Sequence, residues 1–188
     1  MIQLLQPYDP IWHQEFLQLK EVLVNEIRDY TVTIEHIGST AIPGLIAKPI
    51  LDVDIIIRDK HQLNRTSSTL EKLGYINKGD QGIAGRFAFR QSNNKIPITP
   101  TCKEWIQHHL YLCFSDSLAL KNHLLFRDAL LGNQELVTNY SNLKKKLVEE
   151  PGMTREKYSV KKTTFILSVL ENLGFKLDEL DAIRQANS

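Results

Sequence analysis

Cysteine is scarce in this chain: Cys102 and Cys113 are its only two. Two thiols in 188 residues exclude a disulfide-dense secreted scaffold. No paired Cys or His spacing accompanies them, so metal binding by these cysteines is not expected. Long apolar runs are also missing. Nothing approaches the ~20 residues of a membrane span, and the polar start has no basic-then-apolar leader pattern. A cytoplasmic setting follows as the expectation, with both thiols free and partly buried. Excess charge of either sign is absent as well. The formal net charge is +1, so no strong overall field points to nucleic acid or a membrane surface. Basic groups are only local, at Lys144-Lys145-Lys146 and Lys161-Lys162. No Gly-x-x-x-x-Gly-Lys-Ser/Thr occurs, which argues against a P-loop kinase. No Gly-x-Ser-x-Gly surrounds Ser39, which leaves a serine hydrolase without support.

Internal repeats, low-complexity segments and separating linkers are missing too. Hydrophobic content of 42% and charged content of 24% are ordinary for a globular chain that buries a core. The expected organisation is one domain over 1–188. Its α/β part spans 1–114 and its helical part 115–188.

The most informative stretch runs from Ile34 to Ile57, IEHIGSTAIPGLIAKPILDVDIII. An apolar run breaks at Gly38-Ser39-Thr40, a Pro43-Gly44 turn and Lys48-Pro49 follow, and a β-branched run then carries Asp52 and Asp54. A carboxylate within an apolar strand is costly unless something pairs with it. On a strand, residues two apart share a face, with Cα atoms roughly 6–7 Å apart. Asp52 and Asp54 therefore project together and repel unless a cation lies between them. Hard oxygen donors of this kind suit Mg²⁺, which keeps waters and substrate phosphates in its shell. A short helix starting at Gly38-Ser39-Thr40 would add free N–H groups and a hydroxyl for a phosphate.

Elsewhere the patterns are plain. Apolar residues at three- and four-residue intervals predict a helix over 10–30, and β-branched content predicts a strand over 31–37. The Asp-x-Asp strand should end near Arg58. A helix over 60–73 should be closed by Gly74, with a strand starting at Tyr75. Glycines at 79, 82 and 85 mark a loop, and Arg86–Arg90 alternates as a strand whose two arginines share a face. Arg86, turned to the cleft, would bind phosphate. A strand over 105–114 places Gln107, His109, Tyr111 and Cys113 on one side. Three helices should follow, ending near Leu131, Glu149 and Leu173, and then a short tail helix.

The segment HIGSTAIPGLIAKPILDVDI resembles the signature of the GrpB family: a His-x-Gly-Ser-Thr loop, Pro-Gly, Lys-Pro and Asp-x-Asp. FRDALL, YSNLKKKL and YSVKKTTFI extend the resemblance over nearly the whole chain. That family looks like a branch of the nucleotidyltransferase superfamily, with the DNA-polymerase-β-like fold. The resemblance implies an α+β fold, a mixed sheet flanked by helices with a C-terminal helical bundle. It implies Asp52 and Asp54 as Mg²⁺ ligands and catalytic residues, and Gly38, Ser39, Thr40 and Lys48 as the phosphate-binding segment. Lys144 follows Tyr140 by four and Lys162 follows Tyr158 by four, so each lysine shares a helix face with its tyrosine. The family carries the same Tyr-x-x-x-Lys pattern at both places, which points these lysines at phosphates. It also has a His-Leu-His near the site; here the chain reads His109-Leu110-Tyr111, so the second histidine is lost.

Two functional readings follow. The first is a Mg²⁺-dependent nucleotidyltransferase acting on a nucleoside triphosphate and an acceptor of unknown identity. The second is a module that binds a nucleotide or another phosphorylated small molecule without turnover. Superfamily enzymes place a third carboxylate on a later strand, and the strand over 105–114 has none. Glu104 and Asp116 only flank it. His109 would have to take that place in the first reading, and the gap favours the second.

Overall fold

The computed structural model describes residues 5–27 and 32–186. Helix α1 spans Ile11–Glu26 and buries Trp12, Phe16, Leu19 and Leu23, the three-and-four spacing of its sequence. Asp9 opens it, its Oδ1 accepting from the Ile11 amide at 2.9 Å. The helix stops before residue 30, and residues 28–31 of the expected helix and strand lie outside the described residues. Strand β1 covers Thr33–Ile37, and a single 3-10 turn, Ser39–Ala41, follows it. Strand β2 covers Leu51–Ile57 and α2 covers Lys60–Lys72. Short β3 is Ile76–Asn77, β4 is Arg86–Arg90 and β5 is His108–Phe114. Strand β5 starts three residues later than its apolar pattern suggested.

The five strands form one mixed sheet in the order β1-β2-β5-β4-β3. Strands β2 and β5 run parallel, with α2 in the connection between them; the other pairs are antiparallel. β2 is thus an interior strand beside the central one. Alternation along the strands divides the sheet into two unlike faces. Leu51, Val53, Ile55 and Ile57 of β2 join Leu110 and Leu112 of β5 under α1, in the largest apolar cluster. The opposite face carries Asp52, Asp54, His109, Tyr111 and Cys113.

Four C-terminal helices cover that polar face. They are α3 (Leu118–Leu131), α4 (Gln134–Glu149), α5 (Arg155–Asn172) and α6 (Leu177–Ala186). Ser117, Asn133 and Thr154 cap the first three with side-chain oxygens. Arg127 of α3 ties this layer to the sheet, donating from Nη1 to Glu35 Oε2 at 2.6 Å and to the His36 carbonyl at 3.1 Å. Ile42 and Leu45, in the loop after β1, pack with Leu130, Val137 and Tyr140, anchoring the loop to α3 and α4.

Two histidines are held neutral in the core. His36 stacks on Phe16 with ring centroids 4.6 Å apart. Its Nε2 lies 3.0 Å from Thr40 Oγ1, whose hydroxyl donates on to the Ile50 carbonyl. His108 lies between the Tyr75 hydroxyl, 2.7 Å away, and the Ile106 carbonyl, 2.9 Å away. Burial lowers both imidazoles from 6.5 to about 4. Between pH 6.5 and 4 the unfolded chain therefore binds more protons than the fold, and stability falls as pH drops through this window. By pH 5 the expected loss is about 2 kcal/mol per histidine. Urea unfolding at pH 7 and pH 5 measures it; a level stability would show that both rings charge without penalty.

Candidate functional site

Asp52 and Asp54 leave β2 on the same face, yet they meet different surroundings. The Asp52 side chain is 30% exposed and lines a cavity of about 500 Å³ between the end of β2 and helices α4 and α5. Asp54 is fully buried. Its Oδ2 accepts from His123 Nδ1 of α3 at 2.8 Å, and its Oδ1 has no hydrogen-bond partner. Both carboxylates were expected to open into one cleft. The structure opens Asp52 and roofs Asp54 with α3, which carries His123 directly onto it.

The loop after β1 closes against Asp52. Gly38 has φ 69° and ψ −166°, a region open essentially to glycine alone. A Cβ there would lie 2.3 Å from Asp52 Oδ2, so the backbone passes directly over the carboxylate. Ser39 lines the cavity, and its Oγ accepts from Lys144 Nζ at 2.6 Å. Thr40 is buried and turns the other way, bridging His36 and Ile50. It fixes the loop to the start of β2 instead of facing the cavity.

His109 stands opposite Asp52 in the β2–β5 register, and its Nδ1 lies 2.9 Å from Asp52 Oδ1. No acid occurs on β5, and Glu104 and Asp116 are exposed at positions beyond its ends. The place beside the first aspartate is therefore held by an imidazole.

Four cationic side chains reach this cavity: Lys48, Lys144, Arg155 and Lys162. Lys48 and Lys162 lie 5.4 and 5.2 Å from the Tyr158 ring centroid, on a shared aromatic support. Lys144 is 2% exposed; besides Ser39 it donates to the Ile46 carbonyl at 2.9 Å, and it lies 4.5 Å from the Tyr140 centroid. Lys145 and Lys146, the next two residues, are exposed on the solvent side of α4. Burial pushes Lys144 well below the ordinary lysine range; the charge of Lys162 adds to this and Asp52 opposes it. Burial also lowers Lys162, with Lys48 adding and Asp52 opposing, and it lowers Lys48, with Arg155 adding. Buried Lys144 and half-buried Lys48 and Lys162, crowded together beside exposed Arg155, gain from an anion brought between them.

Arg86 does not reach this cavity. Its guanidinium carbon sits 4.6 Å over the Tyr111 ring, and it lines a second cavity of about 340 Å³ together with His123. The reason is register: Arg86 lies opposite Cys113, four residues along β5 from His109. The two cysteines differ as well. Cys102 is exposed, and Cys113 is buried beside Asp54. Sequence reasoning missed His123 and Arg155. Each carried a signal in hindsight, since His123 lies one helical turn before Arg127 of the Phe-Arg-Asp and Arg155 lies one turn before Tyr158.

The family described as "GrpB protein" matches residues 3–172. Over 165 residues the chain is 32% identical to the UPF0157 protein YqkA of Bacillus subtilis (strain 168), covering 88% of this chain and 45% of that protein. It is 28% identical over 170 residues to the UPF0157 protein SCO7215 of Streptomyces coelicolor, covering 90% and 83%. The chain thus spans less than half of the first relative and most of the second. Among solved structures, the conserved protein GrpB from Enterococcus faecalis superposes with a TM-score of 0.73 at 27% identity, covering 97% of this chain and 98% of that one. The Cid1 poly(U) polymerase, as an H336N mutant bound to MgATP, superposes with a TM-score of 0.51 at 12% identity over 89% of this chain and 52% of its own. That likeness establishes a shared nucleotidyltransferase-like fold. No helix among the described residues is long and apolar enough to cross a membrane.

Proposed function

The chain belongs to the GrpB family, and on that basis we propose that its cavity binds a nucleoside triphosphate with magnesium and transfers the nucleotidyl group to an acceptor. One observation carries this reading: Ser39, Asp52, Lys48, Lys144, Arg155 and Lys162 line a single cavity, on a fold shared with a polymerase whose structure holds MgATP. A triphosphate brings about four negative charges, which one exposed carboxylate would repel and four cations attract.

The roles follow from position. Lys144, Lys162, Lys48 and Arg155 take the terminal phosphates, with the Ser39 hydroxyl and the adjoining backbone amides. Transfer needs an acceptor oxygen to attack the α-phosphorus as the bond to the β-phosphate breaks and pyrophosphate leaves. His109, oriented through its Nδ1 by Asp52, offers Nε2 to take the acceptor's proton. Asp52, open to the cavity, and Asp54, buried two residues on, are hard oxygen donors on one strand face, and this donor set fits magnesium. Both would hold the ion, which supplies charge neutralisation and polarises the phosphate when bound. Reduced thiols at Cys102 and Cys113 suit a cytoplasmic setting.

Binding without turnover is the second reading, favoured by the burial of Asp54 and by a β5 that carries no acid. Calorimetry with ATP and UTP, with Mg²⁺ or with chelator, tests the first step. Asp52→Asn is expected to lower Mg²⁺-dependent affinity at least about tenfold, the loss of one charge-assisted contact. A triphosphate at 100 times its Kd should add about 2.7 kcal/mol of stability. Equal binding in chelator sinks the metal-bridged reading, and Mg²⁺-dependent binding without pyrophosphate release with any acceptor selects the second.

A further inference from the structure

Behind the Asp52 cavity, three side chains from three elements converge where the sequence showed no pairing. Asp54 of β2, Cys113 of β5 and His123 of α3 each offer one donor atom, and these atoms all lie within 4.8 Å of one another. We propose that Asp54, Cys113 and His123 form a binding site for a thiophilic divalent ion of the zinc class, which shares only Asp54 with the magnesium position and opens into the second cavity.

The donor set is a carboxylate oxygen, a sulfur and an imidazole nitrogen, the three ligand types zinc takes. Bonds of about 2.0–2.3 Å set tetrahedral donors roughly 3.3–3.6 Å apart. Asp54 and His123 now stand at 2.8 Å, so they spread slightly, and all three donors already lie within 4.8 Å of one another. Much of the required order exists already. Asp54 and Cys113 are fully buried, and the three elements are fixed by the sheet and by the roof of α3. Asp54 Oδ1 is buried with no nitrogen or oxygen donor on it, and the Cys113 thiol is the group beside the carboxylate.

Charge is consistent with occupancy. A thiolate and a carboxylate neutralise a divalent ion, and Arg86 close by supports the thiolate. Arg86 lies opposite Cys113 in the β4–β5 register. An ion between the two anionic groups removes their conflict. Three protein ligands leave a fourth position, and His123 and Arg86 both line the second cavity. Water or an anion from that cavity fills it. Spacing rules miss such a site because its ligands are 59 and 10 residues apart and only the fold joins them.

Titration of the purified full chain with Co²⁺ tests the proposal, because a Co²⁺–thiolate bond gives a near-ultraviolet charge-transfer band. One equivalent of Co²⁺ is expected to produce it, and Zn²⁺ to bleach it. Cys113→Ser should remove the band. His123→Ala should lower affinity by more than the ~10–100-fold typical of losing an outer partner. Cys102→Ser and Asp52→Asn should leave the band in place. Thermal melts confirm that each variant is folded; should Cys113→Ser not fold, His123→Ala with the intact thiol decides. Absence of the band in the parent protein, its survival in Cys113→Ser, or its loss in Cys102→Ser overturns the site. Failure here is separable from failure of the nucleotide reading. Cys113→Ser is expected to bind MgATP as the parent does, whereas Asp52→Asn loses MgATP and keeps the cobalt band.

Discussion

Lys144→Met is expected to weaken triphosphate binding at least about tenfold while leaving the melting temperature at pH 7 close to the parent's. The two effects come from one cause. The ammonium is almost completely buried, and burial in low dielectric is what pushes its pKa down. The folded lysine thus holds its proton less tightly than the unfolded one, so below the unfolded value its charge weakens the empty fold. Methionine has a similar length and carries no charge to desolvate. It forfeits two hydrogen bonds from a charged donor, to Ser39 Oγ and the Ile46 carbonyl, each worth about 1.5–3 kcal/mol. Removal of the buried charge opposes that loss, so the fold survives. Binding has no such offset. A charge-assisted contact to phosphate contributes about 1.5–3 kcal/mol, or roughly 10–150-fold, and Lys144 also positions Ser39. Calorimetry with MgATP and a melt in buffer read both effects. Unchanged affinity would make Lys144 a purely structural lysine, and a collapse of the melt would show that its hydrogen bonds outweigh its desolvation.

What was legible in the sequence divides along a physical line. Local periodicity gave the faces of the strands. Alternation in 51–57 put Asp52 with Asp54, and alternation in 108–114 put His109 with Tyr111 and Cys113. The Tyr-x-x-x-Lys spacing put Lys144 and Lys162 on faces that meet the cavity, while Lys145 and Lys146 stayed in solvent. Caps and breakers marked α3, α4 and α5 closely. What the sequence withheld was decided by packing between distant segments. No local rule says that α3 would cross Asp54 and leave Asp52 open, because that depends on Arg127 reaching Glu35 across 92 residues. Arg86 shows the same limit. Its strand and face were readable, but its distance from Asp52 depends on the β4–β5 register. Thr40 was placed with the phosphate segment on the motif alone, and a buried histidine turned it inward. β5 begins three residues later than its pattern predicts, because Trp105 and Ile106 look strand-like. Trp105 instead packs into the core as loop, with its Nε1 donating to the Pro97 carbonyl at 2.9 Å.

The contact most sensitive to a single added methyl is the one between Gly38 and Asp52. Gly38→Ala is expected to lower both stability and metal-dependent nucleotide affinity, by two separable routes. At φ 69° and ψ −166° an alanine is strained by about 1–3 kcal/mol, and each kcal/mol lowers the melting temperature of a chain this size by roughly 2–4 °C. The second route is steric. The new Cβ would lie 2.3 Å from Asp52 Oδ2 and 2.9 Å from Asp52 Cβ, so either the loop lifts or the carboxylate swings. A swing breaks the 2.9 Å contact with His109; a lift moves Ser39 away from Lys144. Either movement disperses the groups that meet a triphosphate, and the expected loss of affinity exceeds tenfold, since misplacements of about 1 Å are costly in such sites. Gly44→Ala is the control. Its φ of +80° also disfavours a side chain, but the new Cβ would meet only Gln134 Nε2, at 3.6 Å. That variant should melt lower and still bind MgATP as the parent does. If the two alanine variants bind equally well, the close approach of the loop does not position Asp52, and glycine is needed at 38 for the turn alone.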